Sequence, residues 1–452
     1  MACTQPLAAE AGLRVLRAGG NAADAAVAMA ACMNVCEPTS TGIGGDCFAL
    51  WYDPKDPDRV QAMNGSGRSA SGLTLDTAIS GCFPEGLPTV FEHDELLGMP
   101  STHANCVTVP GTAAGWVDSL ERWGTMPLGD VLAPAIELCK RGVPVPPITA
   151  RMWQAAEKHL LAGPHPAAML LADHSIAISG SGSVEGRADS GIRGGRPMLR
   201  APRAGEIHKK PDLARTFELL AARGRDGFYR GEVAEAIEAV VRGAGGTLRA
   251  ADLAEHTSEF CEPLSVVYTP VLASERAAAS IFGDSSRRRF PAKAARVFEC
   301  PPNGQGITAL IALQIQQAVL SGDPMAAEEL AGHATDSAST GSATSASEAA
   351  VEDAIASVIR SATHAEGFSA SGDPGNWFHP LSPGAMHVQI EAMRLAFADS
   401  RWLVRDPSDA FAASTKKAVT SDPSDSSSTG GAASSSVAER EWEALLRPAY
   451  AA

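Results

Sequence analysis

The chain has 452 residues, with 37 Lys+Arg against 52 Asp+Glu, a formal net charge of −15 and a pI near 5.2. This balance argues against a general nucleic-acid binder, which needs a basic surface to displace counterions from phosphates, and against docking on an anionic membrane. Apolar residues make up 45% but aromatics only 5%, so a core must rest on Ala, Leu and Val. No stretch of about 18 apolar residues occurs, and no membrane-spanning helix is predicted.

Two helices open the chain. Residues 6–18 carry Leu7, Ala11 and Val15 at intervals of four, and Gly19-Gly20 ends them. Asn21 caps a second helix, with Asp24 completing a short capping box. From Ala22 to Val35 the only charge is Asp24, so this helix must be buried on every side. Glu37-Pro38 ends it, and residues 39–45 form a Gly-rich loop. Residues 47–52 and 59–64 read as an antiparallel hairpin around a turn at 54–58. Val107 to Trp123 holds a Val-Pro-Gly turn and then a helix. Further helices are predicted at 128–141, 212–223 with Asp212 as cap, 231–242, 306–320 and 388–404. Residues 179–196, 321–375 and 409–436 are low-complexity stretches rich in Ser, Gly, Ala or Thr. They bury too little apolar surface to offset ordering entropy and are expected as disordered insertions. A basic run at 285–296 interrupts a strand region and reads as a surface insertion, with contact to an acidic partner as the alternative.

Several chemical devices are missing. There is no GxSxG elbow and no GxxxxGK[ST] loop. Gly42-Ile43-Gly44-Gly45 follows a helix and precedes a hairpin, the reverse of the order that points a helix N-terminus at a phosphate, so it reads as a tight backbone loop. The nine cysteines include no CxxC. Cys32 and Cys36 read as buried small side chains, and no structural zinc, other metal or cofactor is predicted. Arg68, in Asn64-Gly65-Ser66-Gly67-Arg68-Ser69-Ala70, is the first candidate binding residue. Glycines let a ligand or backbone come close, and an Arg there can fork onto a carboxylate. The alternative is a surface Arg or a local salt bridge.

Four blocks then resemble the large-subunit part of the gamma-glutamyltransferase (glutathione hydrolase) family. They are Pro6-Leu7-Ala8 through Gly19-Gly20-Asn21 to Ala28; Glu37-Pro38 with Gly42 to Gly45 and Gly65-Ser66-Gly67-Arg68; Val109-Pro110-Gly111 to Gly115 with Leu132 to Ile136; and Pro211 to Ala214, Phe228-Tyr229-Arg230-Gly231, Gly245-Gly246 and Pro301-Pro302, resuming at Glu391 to Asp399. The order and number of these blocks carry the resemblance over most of the chain outside the insertions. It implies an α+β fold, the N-terminal-nucleophile αββα four-layer sandwich, with residues 1–452 as a single large-subunit region and the sandwich therefore incomplete. It also implies a precursor that cleaves itself, so that a newly terminal Thr attacks a gamma-glutamyl amide with its own amine as base. Arg68 matches the family's Arg for the glutamyl α-carboxylate.

Departures qualify these expectations. Asp46 and Cys47 replace further glycines, and Ser69 follows Arg68 where typical members carry Glu, features that resemble an acylase-like side branch. The Thr-led strand of the cleavage site is expected beyond Ala452, so no catalytic residue is assigned within the chain. Thr102 and Cys3 lie in the wrong sequence context for a nucleophile. The resemblance therefore implies a gamma-glutamyl substrate such as glutathione and a small subunit that is missing or separately encoded. The alternatives are a non-catalytic gamma-glutamyl-binding relic, a truncated gene product, or an acylase-like amide hydrolase with another acyl donor. The N-terminus lacks a signal-peptide pattern, which leans toward the cytoplasm without fixing the compartment.

Overall fold

The computed structural model describes residues 1–82, 99–100, 102–173, 198–268, 294–321 and 383–403. The stretches 179–196 and 409–436, nearly all of 321–375, and residues 285–293 of the basic run lie outside them. The chain divides into two compact units, one of residues Met1–Trp51 and Met63–Phe260, the other of Tyr52–Ala62 and Cys261–Ala452.

The first unit opens with α1 (Pro6–Arg17) and α2 (Ala22–Cys36). The predicted capping box is present: the Asn21 side chain accepts from the Ala23 and Asp24 amides, and Asp24 accepts from the Asn21 amide. Asp24 does more than cap. It is fully buried and also accepts from the Thr125 amide at 3.0 Å, the Thr125 hydroxyl at 2.7 Å and the Met126 amide at 3.2 Å. Burial pushes its carboxyl up, but these donors outweigh burial and hold it below the usual carboxylate value. The apolar α2 is buried along most of its length against α1, α4 (Thr112–Trp123) and α5 (Leu128–Arg141), with α3 (Leu75–Cys82) preceding that pair. Cys32 and Cys36 are buried as expected, together with Cys139 of α5. Burial pushes the Cys36 and Cys139 thiols up to about 11 and about 12.

The predicted hairpin is β1 (Cys47–Tyr52) and β2 (Val60–Gly65). Beyond α5, four two-residue strands pair locally: β3 (Val143–Pro144) with β6 (Ile207–His208), and β4 (Leu171–Ala172) with β5 (Leu199–Arg200). Between them lies α6 (Pro147–Ala162), a helix that the sequence reading passed over. Then follow α7 (Pro211–Arg223), α8 (Asp226–Tyr229), α9 (Glu232–Gly243), α10 (Ala250–Ala254) and β7 (Glu259–Cys261). Asp212 is not the cap of α7. Lys210 holds that position and Pro211 starts the helix, because proline has φ preset and no N–H to satisfy there; Asp212 sits in the first turn. The sheet order is β1–β2–β7. Trp123 of α4 stacks on Trp51 of β1 at 5.8 Å and meets Phe260 of β7 edge-on at 5.4 Å, so one indole ties the helix to two strands.

In the second unit β8 (Leu264–Tyr268) pairs antiparallel with β9 (Ala295–Glu299), Leu264 opposite Glu299. The last residues of the basic run thus enter a strand. Against this hairpin lies α11 (Gly306–Ser321), and α12 (Pro383–Leu403) packs against α11. Leu264, Val266, Ile307, Leu310, Ile311, Ala392 and Ala396 form the core. At its margin Thr308 and Ser400 share a 2.6 Å hydroxyl hydrogen bond. Among the described residues no helix is long and apolar enough to cross a membrane.

Candidate functional site

Arg68 stands just past the end of β2, on a loop whose backbone is held from several sides. Asn64 Oδ1 accepts from the Ser66 amide at 2.9 Å, which turns the chain out of the strand. Asp46 Oδ1, from the end of the Gly-rich loop, accepts from the Gly67 amide at 3.0 Å. The carbonyl of Arg68 itself accepts from the Val109 amide at 2.9 Å. Beyond it, Asp252 Oδ1 accepts from the Ser71 amide at 3.1 Å and the Ser71 hydroxyl at 2.5 Å. Burial raises the Asp252 carboxyl, and its bonds to Ser71 and to the Arg249 amide more than reverse that, leaving it below the ordinary value.

Two glycines are required by contact. A Cβ on Gly67 would lie 1.5 Å from the Val109 carbonyl oxygen, and one on Gly111 would lie 1.8 Å from that of Gly65. The Arg68 loop and the Val109-Pro110-Gly111 turn are therefore pressed backbone to backbone, which no other residue type permits. The turn is fixed in its own right. Gly111 and Thr112 donate their amides to the Gly45 carbonyl at 3.0 and 2.9 Å, and the Thr112 hydroxyl adds a bond of 2.8 Å to the same oxygen. From the other side, the buried Tyr229 hydroxyl donates to the Pro110 carbonyl at 2.6 Å and accepts from the Ala114 amide at 2.9 Å.

Tyr229 rests on a further layer. His256 stacks on its ring at 5.4 Å, and Arg225 lies over it at 5.9 Å. Arg225 donates to both carboxylate oxygens of Asp118, each at 2.6 Å, and to the His256 carbonyl. His256 is buried, with Nε2 unpartnered among the described residues. Burial, and then the positive Arg225, hold its imidazole below its usual pKa, so it is neutral at pH 7; Asp118, Arg68 and Asp46 also act on it electrostatically.

The Arg68 guanidinium contrasts with this frame. Its side chain is 74% exposed, and Nη2 donates to Glu259 Oε1 of β7 at 2.6 Å. The surface-Arg and salt-bridge alternative thus describes the head, whereas the backbone is held from several sides. Two other sequence candidates are not brought here. Thr102 is exposed in a turn before the short helix Ala104–Cys106. Cys3 is exposed near the start of α1, its Sγ directed at the Gln5 carbonyl. Sequence reasoning missed Asp46, Asp118, Arg225, Asp252, His256 and Glu259 as members of the frame. Tyr229 lay inside a quoted block, but nothing local revealed its hydroxyl's target 119 residues away.

Residues 8–350 match the family described as gamma-glutamyltranspeptidase. The glutathione hydrolase-like YwrD proenzyme of Bacillus subtilis (strain 168) is 32% identical over 309 residues, covering 68% of this chain and 47% of that protein. The acylase ACY 1 proenzyme of Pseudomonas sp. (strain SE83) is 32% identical over 265 residues, covering 58% of this chain and 42% of that one. Among solved structures, cephalosporin acylase from Bacillus halodurans aligns with a TM-score of 0.58 at 29% identity, covering 99% of this chain and 57% of the acylase. Helicobacter pylori gamma-glutamyltranspeptidase aligns with a TM-score of 0.54 at 20% identity, covering 88% of this chain and 90% of that one, a likeness of fold alone. The expected α+β fold of the N-terminal-nucleophile class is the fold of these neighbours. The chain spans about half the length of the curated relatives it matches.

Proposed function

Because the chain belongs to the gamma-glutamyltranspeptidase family, we propose that it forms the large-subunit portion of an enzyme that cleaves gamma-glutamyl amides, and that Arg68 holds the α-carboxylate of the acyl donor. The observation that carries this reading is the contrast at Arg68: a backbone immobilised by Asp46, Val109 and the glycine contacts, and a guanidinium left in solvent. A group that must receive a ligand needs this combination. The fixed backbone keeps the fork oriented and lowers the entropy lost on binding, and the exposed head stays reachable. Guanidinium suits a carboxylate because it offers two parallel N–H donors at the spacing of the two oxygens.

In this reading the nucleophile is a Thr at the start of a strand, carried by the small subunit. Its hydroxyl attacks the amide carbonyl while its own amine takes the proton, and that proton leaves with the departing amine. Water or an acceptor amine then attacks the acyl-enzyme ester and frees the Thr. This chain's part is to fix the donor by its carboxylate so that the reacting carbonyl meets the hydroxyl at bonding distance. The partner is the nucleophile-bearing small subunit, and the substrate class is gamma-glutamyl amides such as glutathione. A second reading, an acylase acting on another carboxylate-bearing amide, is favoured by the likeness to two acylases and by Ser69 in place of Glu.

The test is hydrolysis of a gamma-glutamyl anilide by the 452-residue chain, alone and co-expressed with a small-subunit polypeptide from a relative. Turnover is expected only with the second polypeptide, and Arg68→Ala should raise KM more than it lowers kcat. Robust turnover by the chain alone would overturn the assignment of the nucleophile. Hydrolysis of a glutaryl amide in preference to the glutamyl compound would favour the acylase reading.

A further inference from the structure

We propose that Glu259 is a built-in competitor for Arg68, its carboxylate occupying the guanidinium that the donor's carboxylate must reach. This deepens the proposed function and rests on its reading of Arg68. The ion pair has the geometry of a displaceable stand-in. Glu259 Oε1 meets one terminal nitrogen, Nη2, at 2.6 Å, whereas a guanidinium has five N–H donors and a free carboxylate can take two in parallel. Both side chains are exposed, at 74% and 59%, so the pair separates without uncovering any core. The backbones on each side are fixed, Arg68 through Val109 and Glu259 within β7. Exchange therefore needs only side-chain rotation, and the site stays formed while empty.

The competitor lowers the fraction of protein whose fork is free. Every carboxylate ligand must displace Glu259, so each binds more weakly by the same factor. Exposed ion pairs of this kind are weak, so removing Glu259 should tighten carboxylate binding by about two- to fivefold.

The experiment titrates glutarate and L-glutamate into the full chain, following heat or ligand NMR, for the wild type and for Glu259→Gln, Glu259→Ala, Arg68→Ala and the Arg68→Ala/Glu259→Gln double variant. Circular dichroism confirms that each variant is folded. Both Glu259 variants should bind both ligands about two- to fivefold more tightly, and the gain should vanish in the double variant. Unchanged binding in the Glu259 variants, with Arg68→Ala still weakened, would overturn the competitor and leave the Arg68 reading standing. Weaker binding of L-glutamate but not of glutarate would make Glu259 a partner for the ligand's ammonium, which also overturns the competitor. An Arg68→Ala protein that binds as well as the wild type would remove the Arg68 reading, and the proposal with it.

Discussion

The two ends of Arg68 belong to different kinds of structure. Below the Cα, the loop is locked by a backbone-to-backbone contact at Gly67, by the carboxylates of Asp46 and Asp252, and by the Tyr229 hydroxyl acting through the Pro110 turn. Above it, one solvent-exposed ion pair holds the guanidinium. The lower layer makes many mutually dependent contacts, running from exposed Asp46 and Ser71 down to buried Tyr229, and the upper layer is exposed and makes few. On the proposed reading of Arg68, stability and recognition are thus separated along a single residue, and substitutions on the two sides should divide the same way.

The sharpest way to break the comparison is Gly67→Ala. Its Cβ would overlap the Val109 carbonyl, so either the loop or the turn must move. A loss of about 3 kcal/mol or more is expected, read as a lower urea midpoint at unchanged slope, together with loss of carboxylate binding. Asp24→Asn comes next, at about 2 kcal/mol near neutral pH, because four donors converge on that buried carboxylate. Its folded pKa lies below the unfolded value. Its contribution is therefore complete above pH ~4 and is lost as the pH falls through the folded value. The variant's stability should vary less with pH on that acid limb, while Arg68-dependent binding at pH 7 persists in the folded fraction.

Tyr229→Phe leaves the Pro110 carbonyl and the Ala114 amide without their buried partner. It should cost about 1–2 kcal/mol and weaken ligand binding by loosening the turn beneath Arg68. The smallest effect sharpens the comparison. Arg68→Ala and Glu259→Gln should each leave the unfolding free energy within about 0.5 kcal/mol of wild type. A larger loss from either would show that the upper layer supports the fold and would undo the separation.

The parts that were readable from sequence alone are those whose cause is local. The Asn21–Asp24 capping box, the all-round apolar α2 and the β1–β2 hairpin are each determined within a few residues. Arg68 was reachable because its glycines are adjacent to it. Glu259 was not, since it lies 191 residues further along and an exposed Glu carries no signature of what it faces. The same holds for Asp118 and Arg225, which meet across 107 residues. Asp212 was misplaced by one rule competing with another: acidic residues favour caps, but Pro211 beside it favours the first helical position more strongly. The helix α6 was passed over because its start is signalled only by Pro146-Pro147, with no side chain capping it.

The Tyr229–Pro110 bond has a consequence for how the protein is made. The hairpin and the Arg68 loop leave the ribosome early, but the hydroxyl that secures their supporting turn is encoded 119 residues after Pro110. At ordinary elongation rates the nascent chain carries an unfinished loop for roughly ten to thirty seconds after Arg68 is synthesised. During that interval α1 and α2 already have each other to pack against, whereas the Arg68 segment has only its own turn. A translational pause placed shortly after residue 68 would lengthen that exposure, and one placed after Tyr229 has emerged would not.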